Sequence, residues 1–172
     1  MTTRAVVLIG PMGVGKSSIG RKLAKTLSRT FLDTDSVIAR EHGPIPQIFA
    51  QHGEAYFREV EREAVARAVA DGGVVALGGG AVLNESTREL LREHRVVLLD
   101  VSEAVVAGRI GHGEGRPLLS GVDEDPMIRW KRIRAERWPV YESLADVTFD
   151  TSRGHIAYVV SAIAEWVQEE EQ

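Results

Sequence analysis

Short, wholly apolar runs alternate along this chain with longer stretches in which apolar residues recur every three or four positions. Ala5–Ile9 (AVVLI) and Val96–Asp100 (VVLLD) are near-continuous apolar runs. Runs of this kind predict strands covered on both faces, as in a parallel sheet. Phe31-Leu32, ending at Asp33, Val74–Leu77 and Val147–Phe149 are shorter segments of the same kind. Between them, Ile19, Leu23 and Leu27 lie four apart, the spacing of one helical face. Val37 and Ile38 begin another helix, and Gly43-Pro44 with Pro46 interrupts the pattern before Phe49. Phe57, Val60, Ala64, Val65 and Ala68 form a further helical face. A Glu/Arg-rich helical stretch precedes Val96, and Ile156, Val159, Val160, Ile163 and Val167 mark a last helix. Strand and helix alternating in this way predict an α/β fold: a three-layer α/β/α sandwich around a short central parallel sheet of five strands.

Length keeps this pattern within one domain, 1–172, because 172 residues suit a single core. Neither an internal repeat nor a linker breaks it. A formal net charge of −4 supplies no basic excess for a nucleic-acid polyanion. The chain has no cysteine, which excludes disulfides and thiolate chemistry and suits a reducing cytosol. The run after Met1 is far too short to span a bilayer, so the expectation is a cytoplasmic protein with no membrane partner. The acidic tail Glu169-Glu170-Glu171 reads as a solvated helix end.

The first loop changes the picture from fold to chemistry. Gly10-Pro11-Met12-Gly13-Val14-Gly15-Lys16-Ser17 fits G-x-x-x-x-G-K-[ST] between a predicted strand and a predicted helix. Its glycines let backbone N–H groups turn toward phosphate oxygens, and the helix N-terminus adds partial positive charge. Lys16 is placed for the β- and γ-phosphates of a nucleotide, and the Ser17 hydroxyl for Mg²⁺. No guanine-reading N-K-x-D segment is present, and the chain is short for a motor ATPase. A small-molecule kinase of the nucleoside monophosphate kinase-like P-loop class is the expectation.

Acceptor-side candidates follow the other strands. Asp33-Thr34-Asp35 closes the second strand, where open parallel sheets bind ligands. Alternate strand residues point the same way, so Asp33 can serve a metal and Asp35 the attacking hydroxyl. The competing reading makes Asp35 a helix cap. Arg58 lies one helical turn before Glu61, a spacing that also suits a surface ion pair. Gly78-Gly79-Gly80 lets a ligand approach the backbone closely. Arg116 before Pro117, and Arg137 before Trp138-Pro139, read as arginines beside proline turns, able to meet transferring charge or an anionic substrate. Gly108–Asp125 carries Arg116 among glycines and reads as a lid, or else as a surface loop.

The strings GPMGVGKSSIGRKLA, FLDTD, IF…GE…FR..E, GGGAV and GRPLL, in this order, resemble the shikimate kinases over roughly Ala5 to Ser152. That resemblance implies transfer of the γ-phosphoryl group of ATP to the 3-hydroxyl of shikimate, in the pathway to chorismate and aromatic amino acids. It implies ATP contacts at Gly13, Val14, Gly15, Lys16, Ser17 and Ser18, with Arg109 over adenine and Arg116 brought onto the phosphates; Arg153 is taken as a further ATP contact. It places Mg²⁺ near Ser17 and Asp33. Asp35 holds the shikimate hydroxyls and acts as base or orienting group, while Arg58, Arg137 and Gly79 bind the substrate carboxylate. Phe49, Phe57, Glu61, Leu118 and Leu119 match pocket-lining positions. The substrate segment covers about 34–61 and the lid about 108–125, and the implied enzyme is a monomer with ATP and shikimate as partners. Two departures stand out: the His42-Gly43-Pro44-Ile45 turn is one residue short of the family spacing, and Ser18 replaces a frequent threonine. A gluconate- or nucleotide-type kinase, or a nucleotide-binding regulatory module, remains as an alternative from the residues themselves.

Overall fold

The computed structural model describes residues 3–110 and 124–172. Five strands, β1 (Val6–Ile9), β2 (Phe31–Asp33), β3 (Val74–Ala76), β4 (Arg95–Asp100) and β5 (Val147–Asp150), form one sheet in the order β2-β3-β1-β4-β5. Every neighbouring pair is parallel, with Val6 opposite both Val74 and Arg95. All carboxyl ends therefore share one edge, where the strand-following loops gather.

Because β1 is apolar at every position, its alternate side chains supply two different cores. Val6 and Leu8 pack with Ile19 and Leu23 of α1 (Lys16–Thr26) and with Ile163 and Val167 of α7 (Ile156–Glu170). Val106 of α5 (Glu103–Ile110) belongs to the same layer. Val7 and Ile9 face the other way, onto Val65 and Val69 of α3 (Ile45–Ala70), Leu91 of α4 (Glu85–Leu91) and Tyr141 of α6 (Pro126–Leu144). The three-layer sandwich is as the alternation predicts. A third, smaller core joins Ile38 of α2 (Thr34–His42) to Ile48, Phe57, Val60 and Ala64 of α3, fixing α2 against α3.

Several local expectations change. Asp35 is not a strand residue: β2 stops at Asp33, whose Oδ1 accepts the Ser36 N–H at 3.1 Å and caps α2. The cap is thus Asp33, and Asp35 lies in the first helical turn. Pro44 and Pro46 do not delay the next helix until Phe49; Pro44 is the N-cap of α3 and Pro46 sits in its first turn, where a missing N–H costs nothing. The kink comes later, at Gly53, with φ 83° and ψ 175°. Pro139 is not at a turn but inside α6. The buried face made by Trp130, Arg137, Tyr141 and Leu144 holds that helix across the missing hydrogen bond. Gly108–Ile110 close α5, and the Asp125 carboxylate caps α6 by accepting Met127 N–H at 2.7 Å. The expected lid residues Arg116, Leu118 and Leu119 lie outside the described residues. Glu171 in the acidic tail is tied down, pairing with Arg29 and, at 3.4 Å, with Arg95.

Candidate active site

At the carboxyl edge a cleft of about 340 Å³ is lined by Met12, Gly13, Gly15, Lys16, Ser17, Ser18, Asp33, Asp35, Gly78, Gly79 and Arg109, among others. One concavity thus gathers the phosphate loop, the acidic pair and the glycine run. Gly15 takes a left-handed conformation and starts α1, so the helix N-terminus opens into the cleft. Lys16 Nζ donates to Gly10 O at 2.6 Å and to Pro11 O at 3.1 Å, which holds the ammonium over the loop. The Ser17 hydroxyl donates to Asp33 Oδ2. Those two hard oxygens from different elements suit a Mg²⁺ ion that keeps several waters and takes phosphate oxygens as further ligands. Among the described residues there is no group of three or more His, Cys, Asp or Glu that could hold a metal ion.

On the acceptor side, burial pushes the Asp35 carboxyl above its usual range, and neighbouring Asp33 pushes it further, against the pull of Lys16 and Arg58. Glu61 is buried, and burial raises it to about 7 despite the Arg58 guanidinium, whose Nη1 lies 2.8 Å from Glu61 Oε1. The i, i+3 pair read from the spacing exists, but inside the site instead of on the surface. Arg58 also lies over the Phe57 ring at 5.3 Å, and Phe57 packs on Phe49 at 4.8 Å between centroids. Arg58 Nε is buried and has no hydrogen-bond partner among the described residues.

The glycine run explains how these groups meet. A β-carbon at Gly78 would come within 2.7 Å of Asp35 Oδ1 and 3.0 Å of Glu61 Oε2. At Gly79 it would meet Arg137 Nη1 at 3.3 Å, and at Gly80 both terminal nitrogens of Arg58 at 2.5 Å. Three successive glycines therefore bring the charges of α2, α3 and α6 against one short backbone segment. Arg137 is buried, and Tyr141, one turn further along α6, donates its hydroxyl to Gly79 O at 2.6 Å.

A second hollow of about 300 Å³ adjoins the cleft, lined by Val14, Gly15, Ser18, Arg109, Thr151, Gly154, Ile156 and Val159, among others. Arg109 borders both hollows and donates from Nη1 to Gly13 O at 3.0 Å. Arg153 is exposed and lines neither, although its neighbours Thr151 and Gly154 do. Those two, with Tyr141 and Thr34, escaped the sequence reading. Thr151 and Gly154 follow the carboxyl end of the last strand, and that position was the available signal. Thr34 is buried between the two aspartates, with its hydroxyl 3.4 Å from Gly78 N.

A P-loop at a helix N-terminus shares one cleft with Asp33, Asp35 and the glycine run, and Arg137 and Arg58 stand against Gly79 and Gly80 of that run, which defines a kinase that acts on a small acceptor. A family model described as shikimate kinase matches residues 12–168. A shikimate kinase of Thermobifida fusca is 51% identical over 148 residues, covering 85% of this chain and 84% of that protein. One of Rhodococcus erythropolis is 42% identical over 165 residues, covering 95% of this chain and 96% of its own. Among solved structures, the shikimate kinase from Acinetobacter baumannii in complex with shikimate superposes with a TM-score of 0.91 at 33% identity, covering 98% of this chain and 95% of that one. The chain belongs to the shikimate kinase family.

Proposed function

We propose that the γ-phosphoryl group of ATP passes to the 3-hydroxyl of shikimate in the cleft between Lys16 and Asp35, giving shikimate 3-phosphate and ADP. The observation that carries this reading is the glycine run. Gly78, Gly79 and Gly80 set a carboxylate, Arg137 and Arg58 in sequence along one backbone, and Asp35, Gly78 and Gly79 line the same cleft as the phosphate loop. A small acid bound there has its carboxylate at the two guanidiniums and a hydroxyl at Asp35. Guanidinium forks meet a carboxylate at two points, which a lysine does less well.

The step then follows from the residues. The P-loop N–H groups and Lys16 hold the β- and γ-phosphates and stabilise the charge that develops on the transferring group. Ser17 and Asp33 would hold Mg²⁺, which when bound would further neutralise phosphate charge. The acceptor oxygen forms its bond to the γ-phosphorus as the bond to the β–γ bridging oxygen breaks, and ADP leaves. Asp35 accepts the hydroxyl proton, a role that suits a carboxylate whose proton affinity burial has raised. Arg58 and Arg137, assisted by the Gly79 backbone, orient the acid, and Phe49, Phe57 and Glu61 line its pocket. Val14 and Ser18 contact the nucleotide beside Gly13 and Gly15; Arg109, between the two hollows, lies against the base. Arg116 from the 108–125 segment, carried by the family resemblance, completes the phosphate contacts, with Leu118 and Leu119 on the acceptor.

The enzyme works as a cytoplasmic monomer on two small molecules, with neither nucleic acid nor membrane as partner. The acidic charge balance and the lack of cysteine support that setting. No helix among the described residues is long and apolar enough to cross a membrane. A coupled assay of ADP release, with shikimate and gluconate side by side, tests the reading. Turnover with shikimate and little with gluconate is expected, as is loss of turnover in excess chelator. Equal turnover on both acids would reduce the site to a general acid-binding kinase pocket.

A further inference from the structure

Met12, Gly13 and Val14 are consecutive in the P-loop, and a side chain from a different element meets each of their carbonyl oxygens. Trp130 on α6 donates its indole N–H to Met12 O at 2.8 Å. Arg109 at the end of α5 serves Gly13 O, and the Thr151 hydroxyl just beyond β5 lies 3.0 Å from Val14 O. That hydroxyl is equally close to Asp100 O, at 3.0 Å. Asp100 O already accepts the Thr151 N–H at 2.8 Å, so the hydroxyl proton is better used at Val14.

A trans peptide points its carbonyl and the following N–H in opposite directions. Met12 O held against Trp130 turns the Gly13 N–H away from Trp130. Val14 O held against Thr151 likewise turns the Gly15 N–H away from Thr151. Trp130 is 1% exposed and packs in the same core as Val106 and Ile110, behind the loop. Gly13 and Gly15 both line the phosphate cleft, and Gly15 also lines the adjoining hollow that Val14 and Thr151 border. Trp130 thus grips the loop from the buried core and Thr151 from the adjoining hollow, and the glycines whose amides they orient line the phosphate cleft. Loop backbone of this kind has few contacts of its own to hold its peptide planes, because three of the eight residues from Gly10 to Ser17 are glycines.

We propose that Trp130 and Thr151 are positioning residues for ATP: their hydrogen bonds to Met12 O and Val14 O lock the Met12–Gly13 and Val14–Gly15 peptides with their N–H groups toward the phosphates. Neither touches the nucleotide phosphates; they act through the backbone, and they do so from α6 and from the segment after β5, far from the loop in sequence. The inference rests on the nucleotide reading of the P-loop but not on which acid is the acceptor.

Calorimetric titration of ADP into the parent protein, Thr151→Val, Thr151→Ser and Trp130→Phe tests it, with steady-state KM for ATP and for shikimate alongside. Thr151→Val keeps the shape and removes the donor. Each lost donor should weaken ADP binding and raise the ATP KM by about fivefold, the usual weight of one such hydrogen bond. The shikimate KM at saturating ATP should hold, and Thr151→Ser should recover most of the loss. Unchanged ADP affinity in Thr151→Val, even with a lowered melting temperature, would overturn the proposal, since that is packing alone. So would a Thr151→Ser variant as weak as Thr151→Val. If Trp130→Phe does not fold, the Thr151 pair still decides. A parent protein that binds ADP but leaves shikimate untouched would count against the acceptor assignment and leave this inference standing.

Discussion

The Arg58 guanidinium occupies the space that a side chain at Gly80 would need: a β-carbon there would lie 2.5 Å from both Nη1 and Nη2. Gly80 itself has φ −98° and ψ 0°, a backbone that alanine adopts without strain. The neighbour that must yield is the far end of a flexible side chain. Gly80→Ala should therefore fold with nearly parental stability but displace Arg58 from the acid. The shikimate KM should rise at least about tenfold, with the ATP KM little changed. Steady-state kinetics with each substrate varied in turn checks this, and an unchanged shikimate KM would detach Arg58 from acid recognition.

Glu61 predicts a pH dependence with a definite sign. Its folded-state value of about 7 stands above the ordinary 4.5, so the folded chain holds this proton more tightly than the unfolded one. The stabilising contribution is complete below 4.5 and is lost as pH rises through about 7. Denaturation of the parent and of Glu61→Gln at about pH 5 and about pH 8 should show the parent losing on the order of 3 kcal/mol relative to the variant, as an upper figure. A difference between the two proteins that does not move with pH would mean that Glu61 stays ionised in its pair with Arg58.

Asp35→Asn keeps the shape of the side chain and removes the proton acceptor. Turnover should fall by about a hundredfold or more, while the ATP KM stays near the parental value. In the parent, the acid limb of kcat/KM should lie above the ordinary carboxylate value, because burial and Asp33 raise Asp35 in the free enzyme and the active carboxylate is lost as pH falls. A near-normal kcat in Asp35→Asn would leave Asp35 as a residue of the first helical turn and nothing more.

Much of this architecture is written in local pattern. The strands read as apolar runs, the P-loop as a complete motif between strand and helix, and α1, α3 and α7 as periodic faces. What escaped the reading is decided at a distance. Asp33 and Asp35 do share the cleft, but through a cap-and-first-turn geometry that the run Phe31-Leu32-Asp33 does not distinguish from a continuing strand. Pro139 looks like a helix breaker until Arg137, Tyr141 and Leu144 are seen to bury one face of α6. Neither Trp130 against Met12 O nor Thr151 against Val14 O leaves a local trace, since each joins residues more than a hundred positions apart. Gly78-Gly79-Gly80 was legible as a close-approach segment. Which charge faces which glycine depends on how α2, α3 and α6 pack onto the sheet.

The proposed function requires Arg58 and Arg137 to select the carboxylate of the acid that is phosphorylated. The most direct measurement is kcat/KM for shikimate and for its carboxamide, with the parent enzyme, Arg58→Ala and Arg58→Lys. Loss of one such buried charged contact should cost about 2–5 kcal/mol. The parent should therefore use the amide poorly. Arg58→Ala should be comparably poor with shikimate and lose little more on the amide, and Arg58→Lys should recover part of the loss. If the parent phosphorylates the amide as well as it does shikimate, the two arginines are not the acid-recognition site and the account fails at its centre.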